Sequence, residues 1–484
     1  MTVPAVPHSP TVASRLADCV RTFGAWLSLP DPGSLCVTLA TIVANRCPGD
    51  PLWLLLVGGP STGKTEPVRA CAPQPDCRLV GYVTEAGLLS GVSKKKQADD
   101  AQGGLLREIG DFGILLLKDF TSILSMQRDT RASLLAALRE VADGSWTRTV
   151  GTDGGRTLHW QGKLGVLGCV TGAIDSAHGV MGLMGERFVL YRMPEQSAAA
   201  QGRAALNRRG SATRMRQELA GAVDGVLQSV TIPTELPSLE PSETDWLVAV
   251  AEFVVRARSA IERDGYSREI TLIPEAEAPA RLALALRQLL AGLYLVGVER
   301  PAAYEIVRKV GMDSVPQIRR RVLEKLAEEG GLGTRELAER LGYPTGTTRR
   351  ALEDVTAHSL ALRDGEGGGS KGDQWRLTPD AERLWQGMTV PEMSEPPSTP
   401  TPFNSSLLYE RDISGKDSHE RPAVPRGATG NGREEPPELV LLAELRDLRN
   451  GMPDLSRQTI LDRYPGREAA VGAALNQLDG KGKA

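Results

Sequence analysis

Gly58, Gly63, Lys64 and Thr65 stand at the spacing G-x-x-x-x-G-K-[ST] within the stretch LWLLLVGGPSTGKTEPVRAC, and that set of side chains suits one chemistry. The two glycines let the main chain wrap closely round an anion, so that successive N–H groups face it. Gly59, Pro60, Ser61 and Thr62 complete the loop between them. Lys64 can set its ammonium between two phosphates, and the Thr65 hydroxyl can ligate Mg²⁺. A bound nucleoside triphosphate, ATP, is what these residues imply. Asp119 follows the apolar run 114–117 and Lys118. A carboxylate at such a strand end suits a metal, held directly or through water, or an attacking water. It is the only acid there, so the catalytic base stays open, with Asp111 and Glu108 before the strand as lesser candidates. Thr171 closes another apolar run, 164–170, where its hydroxyl can touch a γ-phosphate or cap a loop. Arg281 and Arg287 lie on an apolar helical stretch, 278–296, and either reach back to the phosphates or are solvated helix charges.

These groups need a sheet to carry them. Residues 52–57 are six apolar residues between Pro51 and Gly58-Gly59, as expected of a strand buried on both faces. Further strands are expected at 79–84, 114–119, 164–170 and 189–192, with an amphipathic helix at 130–143. Residues 146–150 and 156–161 flank the turn Gly151-Thr152-Asp153-Gly154-Gly155 and predict a hairpin. Two helices, 11–29 and 35–46, precede the first strand, and a helical unit follows with helices at 203–227, 243–262 and 278–296. The pattern is α/β with a parallel sheet.

Beyond residue 300 the character changes. Helices at 318–329, 333–341 and 347–358, then strands at 360–364 and 374–378 around a Gly-rich loop, predict a winged helix-turn-helix. Thr347, Thr348, Arg349 and Arg350 would open its second helix, where base and phosphate contacts are made, with Arg335, Lys371 and Arg376 adding backbone contacts. Such a fold also docks proteins. The polar stretch 90–104 with Lys94, Lys95 and Lys96 reads either as a solvated surface loop or as a basic loop facing a polynucleotide. Residues 391–437, rich in Pro, Gly, Ser, Arg and Glu, have the composition of a disordered linker, and 438–484 of a small helical piece.

A net charge of −3 in 484 residues gives no global pull toward nucleic acid or membrane, so any such binding must be local. The six cysteines show no CxxC pairing and no histidine at metal-ligand spacing, and read as reduced cytosolic thiols, mostly core filler. No apolar run is long enough for a membrane span, so a cytoplasmic location is expected.

In order, the phosphate loop, strand-end acid, hairpin, Thr-ended strand, Gly-Glu-Arg-Phe (185–188), helical unit and winged helix resemble AAA+ ATPases, with the hairpin similar to that of minichromosome-maintenance-type helicases. The stretches LLSGVSKKK, GGLLREIGDFG, LLLKDFTSILS, WQGKLGVLGCVT and MGERFVLYRMP look like ATPases carried on phages and integrative elements, particularly of actinobacteria. The resemblance covers about residues 35–385. It implies an N-terminal helical segment (1–34), an ATPase core (35–195), a helical lid (196–312) and the winged helix (313–390). It also implies a homo-oligomeric ring acting on DNA as helicase or replication initiator, with an ATP-gated regulator as the alternative. Thr171 would be the first sensor, Arg187 the finger inserted into a neighbour's site, Arg281 the second sensor and Arg156 the cation near the hairpin tip. A protein remodeller fits less well, because the hairpin has no aromatic tip. One departure stands out: such helicases carry Asp-Glu where this chain has Lys118-Asp119.

Overall fold

Two helices, α1 (Pro10–Trp26) and α2 (Gly33–Arg46), deliver the chain to strand β1 (Trp53–Val57), whose five residues are all buried. Asn45 fixes the entry. Its Nδ2 donates to the Leu52 carbonyl and its Oδ1 accepts the Leu52 N–H, both at 2.9 Å, so a buried amide satisfies the peptide that opens the strand. The computed structural model describes residues 10–27, 31–90, 103–150, 156–179, 186–194, 197–207, 211–364 and 374–390. All belong to one unit, Met1–Arg411, and a second unit, Asp412–Ala484, lies outside the described residues, as does the expected linker.

After the loop come α3 (Thr65–Ala70), β2 (Cys77–Val80), α4 (Glu85–Leu88) and α5 (Leu105–Ile109). Then follow β3 (Phe112–Leu117), α6 (Thr121–Leu124) and α7 (Arg128–Ala142). Strands β4 (Ser145–Val150) and β5 (Arg156–Gln161) pair antiparallel as the expected hairpin, and β6 (Lys163–Val170), α8 (Ala173–Ser176) and β7 (Phe188–Arg192) complete the core. The sheet is parallel throughout, in the order β2-β3-β6-β1-β7. β1 therefore lies between β6 and β7, with Leu55 level with Gly168 on one side and Leu190 on the other. The near-continuous apolar runs in these strands follow from cover on both faces. One face packs on α2 and the later helices, the other on α7 and the hairpin's Trp146, Leu158 and Trp160.

Some boundaries differ from the sequence reading. β3 stops at Leu117, two residues before Asp119, and β2 runs 77–80 rather than 79–84. The helix expected at 203–227 is two, α9 (Ala198–Asn207) and α10 (Ala212–Leu227). The one expected at 243–262, α11 (Pro241–Arg258), ends early: Ser259 turns extended, and a hairpin of β8 (Glu262–Arg263) and β9 (Ile270–Leu272) follows.

Helices α12 (Ala280–Leu295) and α13 (Arg300–Asp313) share the core with α2 and α11. The chain then forms α14 (Gln317–Glu329), β10 (Leu332–Gly333), α15 (Thr334–Leu341), α16 (Thr345–Ala357), β11 (Ala361–Asp364), β12 (Gln374–Leu377) and α17 (Pro379–Gly387). Its three strands make an antiparallel sheet in the order β10-β12-β11. Among the described residues no helix is long and apolar enough to cross a membrane.

Candidate nucleotide site and candidate nucleic-acid surface

Strand order reverses at β1, and in open parallel sheets the crevice at the carboxyl ends of the strands at such a point is where ligands sit. The loop 58–64 leaves β1 at that edge. The Gly58 N–H donates to the Val170 carbonyl at 3.1 Å, tying the loop's start to the end of β6. A Cβ on Gly58 would come within 3.0 Å of Thr62 Oγ1 and 3.3 Å of Met193, so a larger residue would crowd both side chains. Gly63 has φ +83°, which a side chain would strain, and Ser61 accepts φ +63°. Lys64 Nζ donates to the Gly59 carbonyl at 2.8 Å, so its ammonium lies over the loop.

Asp119 and Thr171 arrive from the neighbouring strands. Asp119 Oδ1 accepts the Thr121 N–H at 2.9 Å. The Thr121 hydroxyl lies 3.3 Å from the Thr171 hydroxyl and accepts the Thr171 N–H at 3.1 Å. Thr121 thus joins the strand-end acid to the strand-end threonine, a part that sequence reasoning missed. The D-F-T triplet at 119–121 was its only signal. The buried Cys169 lies between these groups: its thiol donates to the Lys64 carbonyl at 3.3 Å, and its carbonyl accepts the Phe120 N–H at 2.7 Å. Burial pushes this thiol up to about 12, against smaller lowering from the Thr65 hydroxyl and the Lys64 ammonium, while the Asp119 charge adds to the rise. The loop, Thr65, Asp119 and Thr171 therefore share one neighbourhood. Hydroxyl and carboxylate are hard oxygen donors suited to Mg²⁺.

Other expected residues fall elsewhere. Glu108 and Asp111 are corrected: both precede β3, at its opposite end from Asp119, and six strand residues span about 20 Å. Glu108 pairs with Arg78 at 3.2 Å instead. Arg281 bonds Glu277 at 3.0 Å, and Arg287 donates to the Pro237 carbonyl at 3.4 Å. Arg187 is held by Asp143 at 2.7 Å with only 8% of its side chain exposed. Its neighbour Glu186 has φ +48°, and burial raises its carboxyl to about 7 despite the opposing Arg258 charge. His178 Nδ1 lies 3.9 Å from it, and burial lowers that imidazole to about 4.

On the C-terminal helices, Arg349 and Arg350 are exposed and Thr347 half-buried. Thr348 is corrected as a nucleic-acid contact: it is fully buried, with its hydroxyl on the Pro344 carbonyl at 3.3 Å. It belongs with Ala351, Leu352 and Val355 to the inward face of α16. Arg335 pairs with Glu339 at 2.9 Å, Arg349 with Glu353 at 3.6 Å, and Arg376 with Asp364. Exposed pairs of this kind are worth about 0.3–0.5 kcal/mol, little enough for a phosphate to displace. Lys94, Lys95, Lys96 and Lys371 lie outside the described residues, as does the side chain of Arg156.

No family model and no curated protein matches the chain. Among solved structures, an ATPase candidate from Cytophaga hutchinsonii is 13% identical, with 63% of this chain and 86% of that one covered at a TM-score of 0.36. The apo C-terminal region of NrS-1 is 12% identical over 61% and 68% of the chains, at 0.20. The Hsp104–ADP complex of S. cerevisiae is 14% identical over 99% and 60%, at 0.20. Likeness at these scores is too low to establish a common fold.

Proposed function

We propose that this chain hydrolyses ATP as an AAA+ protein and acts on DNA as a homo-oligomeric ring, in the manner of a helicase or replication initiator. One observation supports this above the others: Lys64, Thr65, Asp119 and Thr171 meet at the carboxyl edge of adjacent strands, joined through Cys169 and Thr121.

In this reading the amides of residues 58–64 receive the triphosphate and Lys64 leaves the Gly59 carbonyl for the β- and γ-phosphates. Mg²⁺, when bound, neutralises charge on the phosphate oxygens, and the Thr65 hydroxyl and the Asp119 carboxylate would hold it. Asp119 Oδ1 accepts the Thr121 amide, which orders the carboxylate that would help to hold the metal. Thr171 Oγ1 lies within hydrogen-bond distance of Thr121 Oγ1 and accepts weakly from the Ala173 N–H at 3.4 Å, so its own hydrogen is available to a γ-phosphate oxygen. Arg187 of a neighbouring copy would meet charge on the transferring phosphoryl group, and Arg281 would sense the nucleotide from the helical lid. An arginine supplied in this way contributes on the order of 10³ in rate or more. The helices α14–α16 with strands β10–β12 read as a winged helix-turn-helix that recruits duplex DNA through Thr347, Arg349 and Arg350, with Arg335 and Arg376 on phosphates. The β4–β5 hairpin, with Arg156 near its tip, and the basic run Lys94–Lys96 would grip a strand.

The purified protein should hydrolyse ATP faster with DNA and lose that activity on Lys64→Ala; undiminished hydrolysis in the variant ends the reading. A slower, ATP-gated DNA-binding regulator is the second reading. Lys118 in place of a second acid and the burial of Arg187 against Asp143 favour it. Steady unwinding of a forked duplex would exclude it.

A further inference from the structure

One guanidinium joins two segments far apart in the chain. Arg263, in β8, donates from Nη1 to the Arg268 carbonyl at 2.8 Å and from Nη2 to the Arg350 carbonyl at 3.2 Å. The same side chain pairs with Asp354 at 2.7 Å and Glu353 at 3.0 Å. It therefore clips the β8–β9 hairpin along α16, with the main-chain carbonyls of Arg268 and Arg350 bonded to the same guanidinium.

The hairpin tip is rigid. Asp264 Oδ1 accepts the N–H groups of Tyr266 at 2.8 Å and Ser267 at 2.6 Å, and the Asp264 amide donates to the Glu269 carbonyl at 2.9 Å. On this closed turn Tyr266 is 98% exposed, so a large ring is displayed with its backbone already ordered. Nothing in the fold asks for a tyrosine there. Among the described residues, the side chains of Arg268 and Arg350 have no ion pair, whereas Glu353 and Asp354 are taken up by Arg263, Arg319 and Arg349. The Asp264 carboxylate accepts from the turn's own amides and also lies within electrostatic reach of Arg268. Glu262 and Glu269 are the remaining acids of the hairpin, and both are exposed. An exposed ring on a hydrogen-bonded turn, with Arg268 two residues further on and Arg350 on the helix to which the turn is tied, suits a phosphate backbone with an unstacked base next to it.

We infer that the β8–β9 tip, with Tyr266 and Arg268 beside Arg350, is a second nucleic-acid contact that engages the single-stranded flank of a duplex held by α16. Tyr266 stacks on an unpaired base while Arg268 and Arg350 neutralise phosphates at the junction. This rests on the DNA reading above and adds to it a preference for junctions.

The test uses full-length protein and fluorescent oligonucleotides, one blunt duplex and one fork of equal duplex length. Tyr266→Ser should weaken fork binding by roughly 5-fold or more, the lower end of one lost base stack, and leave the blunt duplex within about twofold. Tyr266→Trp should restore fork binding, and Arg268→Gln should lower the salt slope on the fork by about 1. The Arg349→Ala/Arg350→Ala double variant should weaken both substrates. If that double variant loses DNA while Tyr266→Ser binds both substrates like the parent, or loses both equally, the junction contact is wrong and the DNA reading stands. If the parent binds neither substrate, both are overturned. Because Tyr266 is exposed, an unchanged melting temperature will separate a lost contact from misfolding.

Discussion

A single nitrogen of Arg187, Nη2, reaches both carboxylate oxygens of Asp143 at 2.7 Å. Asp143 closes the C-terminus of α7, one residue before Gly144 and the start of β4. The arginine just ahead of β7 is therefore fastened to the root of the hairpin. If Arg187 serves a neighbour's phosphate, it must leave that carboxylate when subunits assemble. Arg187→Ala should abolish turnover and retain ATP binding, and mixtures with Lys64→Ala should recover part of the activity. Asp143→Asn should shift the onset of activity to lower protein concentration. An onset unmoved in Asp143→Asn would show that the pair does not restrain the arginine.

Lys64→Ala removes the ammonium that lies over the loop. We expect hydrolysis to fall on the order of 10²-fold or more, as when one preorganised charge-stabilising donor is lost. Far-ultraviolet circular dichroism should be unchanged, because the lysine's ammonium bonds a carbonyl of its own loop.

Asp119→Asn keeps an oxygen for the Thr121 amide but removes the charge. Turnover should fall at least as far as in Lys64→Ala, and added Mg²⁺ should recover part of it. Nucleotide affinity measured in the presence of a chelator should be nearly that of the parent. A variant as active as the parent would remove Asp119 from the metal site.

Thr348 and Arg350 should separate packing from recognition. Thr348→Ala loses a buried contact and one hydroxyl bond to Pro344, which costs about 1 kcal/mol of stability, and leaves DNA affinity unchanged. Arg350→Ala should do the reverse. Melting curves and anisotropy titrations on the same preparations read both.

Glu186 and His178 should give stability a pH dependence of opposed signs. The folded Glu186 carboxyl is raised from 4.5 to about 7 by burial, so its contribution is full below pH 4.5 and lost as pH rises through 7. The folded His178 is lowered from 6.5 to about 4, so its contribution is present above pH 6.5 and lost as pH falls through 4. Glu186→Gln should therefore raise the melting temperature at pH 8 relative to pH 5, with up to about 3 kcal/mol available from a shift of that size. A pH profile parallel to the parent's would exclude Glu186 as its source.

Why some of this could be read from the residues and some could not is physical. The loop at 58–65 was legible because few residue types satisfy a close anion wrap, and its strand because burial on both faces leaves an uninterrupted apolar run. Asp119 was found, but the end of β3 was not: Lys118 and Asp119 follow the run without a turn residue to mark the stop. Thr348 was misassigned although its phase was visible, since Thr348, Ala351, Leu352 and Val355 repeat at the inward helical spacing. The β8–β9 hairpin was missed because strands of two and three residues carry no period. Its only marks were Asp264 and Gly265. The bridge from Thr121 to Thr171 spans 50 residues, and the D-F-T triplet at one end says nothing of its partner at the other.

At the other rim of the sheet, Arg192 at the end of β7 donates to the Asp313 carbonyl and to both Asp175 oxygens, while the fully buried Asp313 takes the Arg192 amide and the cations Lys309 and Arg320. Deleting one partner of a buried charge pair costs about 3–5 kcal/mol when the other is left uncompensated, and the fully buried Asp313 is the group here that would be so left. The corner where α13 meets α14 is in consequence a strut without a pivot. A tilt begun at the end of β7 therefore meets resistance from α13 and the first of the C-terminal helices, which hold the same set of charges.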